Sequence, residues 1–188
     1  MMTIDRKIVK DCAAGKRRAQ SKLYQLLAPV MMGVSMRYCR NVEEAEDVLQ
    51  EAFIKVFKNI GDLRNPEAVY SWTRSILVNT AITHIKKNKY SFEEIDDDKI
   101  NHEEEQDNYS YSGIEPETLL KIIHEMPDGY RMVLNLYVFE GLKHREIADK
   151  LEISENTSKS QLSKARNFLR KELERKNLVT KKTVTHAK

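Results

Sequence analysis

Gly141-Leu-Lys-His-Arg-Glu-Ile-Ala-Asp-Lys-Leu-Glu-Ile-Ser-Glu-Asn-Thr-Ser-Lys-Ser-Gln-Leu-Ser-Lys-Ala-Arg166 reads as two short helices joined by a three-residue turn, the pattern of a helix-turn-helix. Ile147, Ala148 and Leu151 place one apolar stripe on the first helix, and Leu162, Ala165 and Leu169 place another on the second. Glu152-Ile153-Ser154 makes the corner, with Ile153 pointing inward. Ser154 is suited to cap the second helix, because its hydroxyl can accept one of the backbone N–H groups that the first turn leaves unpaired. Asn156, Lys159, Ser160, Gln161, Lys164 and Arg166 are expected on the outward face, where amides, hydroxyls and cations can meet base edges and phosphates in a major groove. A solvated amphipathic helix pair is the plainer alternative, but the small Ala148, the short turn and the polar face agree on duplex DNA.

Working outward, charge divides the chain into three. Residues 1–91 carry 16 basic and 9 acidic groups, residues 92–117 carry 1 and 11, and residues 118–188 carry 15 and 9. The net charge of +3 therefore conceals a basic, acidic, basic order. The acidic stretch from Phe92 to Glu117 has few apolar residues and strong self-repulsion, so it is expected to be a flexible linker that cannot fold by itself. Two readings remain open for it: a solvated tether, or an imitation of nucleic-acid phosphate that occupies a basic channel in a partner. Residues 176–188 form a basic, unpatterned tail expected to be disordered.

The fold class expected is all-α, with two small helical domains on either side of the linker, at residues 1–91 and 118–175. Gly and Pro number only 6 and 4 in 188 residues, strand-like alternation is almost absent, and a 3.6-residue period runs through most of the chain. No stretch reaches the roughly 20 apolar residues of a membrane span. The opening Met1-Met-Thr-Ile-Asp-Arg-Lys7 lacks the apolar segment of a signal peptide, so a cytoplasmic location is expected. Cys12 and Cys39 have no Cys or His near them at metal-ligand spacing and read as buried thiols; no metal and no cofactor is expected.

Four helices are expected in the first basic stretch. One spans about residues 5–14 with Ile8, Val9 and Cys12 inward. The next spans about 17–40, buries Leu23, Leu26, Leu27, Val30 and Val34, and contains Pro29, a residue that can kink it. The third is capped by Asn41 and runs to about Asn59 with Ala45, Val48, Leu49, Ala52, Val56 and Phe57 inward. Asp47, Gln50, Glu51 and Ile54 fall on the opposite side, an acidic and partly apolar strip that duplex DNA repels and a protein can accept. After the break at Gly61-Asp-Leu-Arg-Asn-Pro66, a fourth helix from about Glu67 to Lys89 carries Trp72, Arg74 and Asn79 and ends in Lys86, Lys87 and Lys89. Aromatic, amide and cationic groups in one helix suit single-stranded nucleic acid, although Trp72 can equally belong to the core.

Three motifs in order resemble the extracytoplasmic-function family of bacterial RNA polymerase sigma factors, a resemblance spanning about Ile8 to Leu173. Ala45-Glu-Asp-Val-Leu-Gln-Glu-Ala-Phe-Ile-Lys-Val-Phe57 is similar to the family's core-binding helix, Trp72-Thr-Arg-Ser-Ile-Leu-Val-Asn-Thr-Ala-Ile82 to its promoter-melting helix, and Leu134 to Leu169 to its C-terminal DNA-reading domain. The resemblance implies a sigma-2 domain, a linker and a sigma-4 domain. It implies docking of Asp47, Gln50, Glu51 and Phe53 on the β′ clamp of core RNA polymerase, with a further contact to the β flap. It implies minus-10 promoter contacts from Leu63, Arg64, Asn65, Trp72, Arg74, Asn79, Lys86 and Lys87, around a base flipped from the non-template strand. Minus-35 contacts would come from Asn156, Thr157, Lys159, Ser160, Gln161, Lys164 and Arg166. An anti-sigma partner, soluble or membrane-bound, is implied as well.

Thr83, Asn156 and Ser158 depart from the family pattern, which often has Asp, Gly and Val there. Ser158 puts a hydroxyl at a position that normally packs inward, where it could bond the preceding turn. The five histidines, at positions 84, 102, 124, 144 and 186, are scattered, and no HExxH, Gly-rich phosphate loop or nucleophile elbow is present, so no catalytic residue is expected. The rival readings are a DNA-binding regulator that works without polymerase and an enzyme acting on nucleic acid.

Overall fold

Asp5 opens the first helix, α1 (Arg6–Ala13), by accepting the Lys7 N–H at 2.8 Å, and Val9 and Cys12, three residues apart, bury one face of it. The computed structural model describes residues 4–87, 109–110, 113–178 and 180–181. They divide into two compact units, Met1–Lys89 and Tyr90–Lys188.

In the first unit α1 packs on α2 (Arg17–Tyr38), which packs in turn on α3 (Val42–Asn59) and α4 (Val69–Lys87). Leu23, Leu27, Met31, Val34 and Tyr38 form the buried stripe of α2. Leu26 and Val30, expected in that stripe, are 37% and 43% exposed instead. The stripe follows steps of four and three from Leu23, and Leu26 and Val30 lie on the flank next to it, where apolarity alone cannot separate inside from outside. The helix runs through Pro29, whose missing N–H leaves the Gln25 carbonyl without its helical donor; Pro29 is exposed, where water can take that role. Ser35 is buried and donates to the Ala45 carbonyl at 2.8 Å, which ties α2 to the start of α3. Asn41 caps α3 as expected, accepting the Glu44 N–H at 2.8 Å. Ile8 and Phe57, expected inward, are only half-buried. Between α3 and α4 the chain makes two 3-10 turns, Ile60–Asp62 and Pro66–Ala68, so α4 proper begins at Val69 rather than Glu67. Lys89, where the fourth helix was expected to end, lies outside the described residues. Burial pushes the Cys12 thiol up to about 11, with Asp11 adding to the shift, which keeps it protonated and inert.

The second unit contains α5 (Pro116–Glu125), α6 (Asp128–Leu134), a π-helical turn (Asn135–Phe139), α7 (His144–Leu151) and α8 (Glu155–Arg175). Arg131 is 1% exposed and donates to the carbonyls of His124 and Met126, at 3.2 and 2.9 Å, and to the Asp128 carboxylate. That set of bonds fixes the corner between α5 and α6. Gly141 takes a left-handed φ of 69° after the π-helical turn, a conformation that costs glycine little and redirects the chain into α7. Tyr109–Ser110 (β1) and Thr180–Lys181 (β2) pair antiparallel, Tyr109 opposite Lys181. This two-residue ladder lies in stretches expected to be unstructured, one strand in the acidic segment and the other in the basic tail. The remainder of both stretches lies largely outside the described residues, and the described architecture is otherwise all-α.

Candidate nucleic-acid and protein interfaces

The helix-turn-helix is α7, the corner Glu152-Ile153-Ser154, and α8. Ile147, Ala148 and Leu151 are buried on α7, Leu162 and Ala165 on α8, and Leu169 is half-buried. Ser154 caps α8 by accepting the Thr157 N–H at 2.8 Å, and its hydroxyl lies 2.8 Å from that of Thr157. At the corner Glu152 holds a left-handed φ of 60°.

The outward face of α8 is narrower than its sequence suggests. Asn156, Lys159 and Arg166 are exposed, while Thr157 and Lys164 are half-buried. Ser160 and Gln161, expected to face outward, are 3% and 2% exposed. The Ser160 hydroxyl donates to the Thr157 carbonyl at 3.0 Å, so the short side chain is folded back on its own helix. Gln161 stands beside the apolar stripe and packs against Gly129 of α6, where an added Cβ would come within 2.9 Å of its Oε1. Removing these two leaves Asn156, Lys159, Lys164 and Arg166 as the polar face. Lys159 is held by Glu155 at 2.9 Å, and the Arg166 guanidinium lies 5.8 Å from the centre of the Tyr137 ring.

Sequence reasoning gave no role to His144. Its Nδ1 lies 3.0 Å from the hydroxyl of the buried Ser158, and its ring stacks on Tyr137 with centroids 4.9 Å apart. Burial holds the His144 imidazole below its ordinary pKa, Lys159 and Arg166 push the same way, and Glu155 opposes them. The departure of Ser158 from the expected Val was the available signal, although the position of its partner required the fold.

On α3, Asp47 and Gln50 are exposed and Glu51 is half-buried. The Lys55 ammonium meets the Glu51 carboxylate at 2.7 Å and donates to the Thr80 hydroxyl of α4 at 3.1 Å. The bond from Lys55 lowers the Glu51 pKa, with Lys87 and His84 assisting. Phe53, expected among the docking residues, is 3% exposed. Its ring meets Tyr24 edge-on at 4.7 Å and Phe57 at 5.8 Å, because position 53 lies one turn beyond Leu49 on the buried side. The apolar member of the exposed strip is Ile54, at 68% exposure.

In the loop before α4, Leu63 is half-buried and Arg64 and Asn65 are exposed. The Asn65 side chain caps the second 3-10 turn by accepting the Glu67 N–H at 3.0 Å. Along α4 the half-buried Trp72 and Lys86, with the exposed Asn79, recur at seven-residue intervals and so share a face. Lys87 is exposed near that face, whereas Arg74 leaves the helix about 160° away from it and is not brought together with the others. Thr83, which departs from the family pattern on this helix, donates its hydroxyl to the Asn79 carbonyl at 2.9 Å.

Comparison with known proteins bears on both units. Residues 23–90 match the model described as Sigma-70 region 2, which takes in most of α2 together with α3 and α4. Residues 117–169 match Sigma-70, region 4, from α5 into α8. The RNA polymerase sigma factor SigV of Bacillus subtilis (strain 168) is 31% identical over 147 residues, covering 77% of this chain and 85% of that protein. The chain belongs to the extracytoplasmic-function family of RNA polymerase sigma factors. RNA polymerase sigma-H factor of Pseudomonas aeruginosa is 29% identical to this sigma factor over 181 residues, covering 90% of the chain and 94% of that protein. A Bartonella quintana sigma factor, RpoE, solved with an anti-sigma factor, has a similar fold at a TM-score of 0.51 and 19% identity, covering 82% of this chain and 96% of that one. As an alternative sigma factor the protein acts in transcription initiation, and its family consists of transcription factors rather than enzymes. No helix among the described residues is long and apolar enough to cross a membrane.

Proposed function

We propose that this sigma factor binds bacterial core RNA polymerase through the outward strip of α3, reads a minus-35 element with α8, reads a minus-10 element with the 63–65 loop and α4, and helps to melt the start site. The observation that carries the reading is the pairing, in one chain, of a capped helix-turn-helix with a second helical unit whose exposed faces are segregated by charge. Asp47, Gln50, Glu51 and Ile54 make a strip on α3 that disfavours phosphate and suits a protein. Trp72, Asn79, Lys86 and Lys87 offer stacking, an amide and cations along one side of α4. Holding a flipped base costs a few kcal/mol of stacking and pairing, which a polar pocket offsets, so sequence reading and strand opening are one event.

Asn156 and Lys159 suit base edges, and Lys164 and Arg166 suit phosphates. The metal ions and bond-forming step belong to the polymerase in this reading. An anti-sigma factor is the further partner proposed, on the strength of the Bartonella quintana relative and its complex. The test is transcription with purified bacterial core enzyme on a library of promoter sequences. Defined start sites that require the chain are expected; uniform, chain-independent initiation on every template would overturn the proposal.

A further inference from the structure

Ser158 is fully buried at a position where this family often has Val, and a buried hydroxyl is costly unless it is bonded. Its side-chain partner is Nδ1 of His144, 3.0 Å away on the first residue of α7. The same imidazole stacks on Tyr137 of the π-helical turn, with the rings 26° from parallel, and the Tyr137 ring in turn lies under the Arg166 guanidinium. The contacts run Ser158, His144, Tyr137, Arg166: they leave α8 in its first turn and return to it eight residues later, about 12 Å along the axis. Asn156 and Lys159 stand beside one end of this bracket and Lys164 beside the other.

We propose that His144 is a positioning residue for DNA reading, which sets the seating of α8 through Ser158 and the direction of Arg166 through Tyr137, without itself touching a base. The inference rests on the reading of α8 as the minus-35 helix. An apolar side chain at position 158 would seat the helix by packing alone. With Ser there, the seating is delegated to a directional bond, and the same ring is used to aim a phosphate-binding cation. Ser158 and His144 are therefore one device, and Ser158→Val is predicted to make His144 partly dispensable.

The experiment uses the full chain assembled with core polymerase, and measures affinity for promoter duplex as a function of salt together with thermal unfolding of the chain. His144→Ala is expected to weaken promoter binding about five-fold, the scale of one lost hydrogen bond. It should also make the negative slope of log affinity against log salt shallower by about 0.9, the share of one phosphate contact. His144→Asn, which can still present a nitrogen to Ser158 but cannot stack in the same way, should restore affinity more than it restores the slope. In a Ser158→Val background, His144→Ala should cost clearly less than in the wild type, which is the coupling a double-mutant cycle reads. A lower melting temperature with unchanged affinity and slope, measured where all variants are folded, would mean that His144 only stabilises the fold and would overturn the inference. So would additive effects of the two substitutions. If the wild-type holoenzyme itself fails to bind any promoter, the minus-35 reading falls and takes this inference with it; if it binds and His144→Ala is indistinguishable from it, only the inference falls.

Discussion

Glu152 holds the corner of the helix-turn-helix with a left-handed φ of 60°, a conformation that crowds any Cβ and is worst for β-branched residues. Glu152→Val is expected to destabilise the C-terminal unit by about 1–2 kcal/mol, and Glu152→Gly, which removes the crowding, should destabilise it less than Val does. On the usual scale of roughly 4–8 °C per kcal/mol for a unit of this size, thermal unfolding separates the two variants. A Val variant that melts with the wild type would mean that the corner relaxes to another conformation. The same scale shows where single residues were legible. The Ser154 and Asn41 caps were readable because a hydroxyl or amide just before an apolar period has one dominant use. Phe53 and Gln161 were not, because each lies at the border between faces, where a residue's fate is set by its neighbour in space, and Ser160 was not, because its short side chain turns back on the Thr157 carbonyl of its own helix. Phe53 is drawn in by Tyr24 and Phe57, and Gln161 occupies the space that Gly129 leaves free.

Whole elements were more legible than their flanks. The helical period located α1 to α4 and the helix-turn-helix, but it could not say that Leu26 and Val30 would stay exposed, since an apolar face wider than its groove leaves some residues outside. The α3 strip shows what this means for function. Ile54 is 68% exposed among Asp47, Gln50 and Glu51, so changing it should leave the fold within about 0.5 kcal/mol of the wild type. An apolar side chain ringed by polar ones is where a docking partner gains most, so Ile54→Glu is expected to weaken binding to core polymerase at least about ten-fold. Glu51→Lys should weaken it as well, by reversing a charge and breaking the 2.7 Å pair with Lys55. Undiminished co-purification of both variants with core would remove α3 from the interface. On α8, Lys164→Ala should weaken promoter binding by a similar factor across sequences and flatten its salt dependence. An unaltered salt slope would mean that Lys164, half-buried in the free protein, never reaches a phosphate.

Across the whole chain the basic, acidic, basic order sets a balance that neither basic stretch has alone. The two basic stretches, 16 against 9 and 15 against 9, should each attract any duplex, yet 11 acidic groups in residues 92–117 travel with them on the same polypeptide. Charge order alone predicts that the acidic stretch lowers the non-specific duplex affinity of the free chain, because its carboxylates repel phosphate. Replacing Asp96, Asp97 and Asp98 together by Asn removes three of the competing charges without adding a cation. Non-specific duplex affinity of the free chain should then rise several-fold at about 50 mM salt, and the gain should shrink to within about two-fold near 200 mM, as added salt screens the carboxylates. Fluorescence anisotropy with a labelled duplex at the two salt concentrations reads both numbers. A gain that does not depend on salt would point to a change in the fold, and no gain at either concentration would show that the acidic stretch does not screen the basic units.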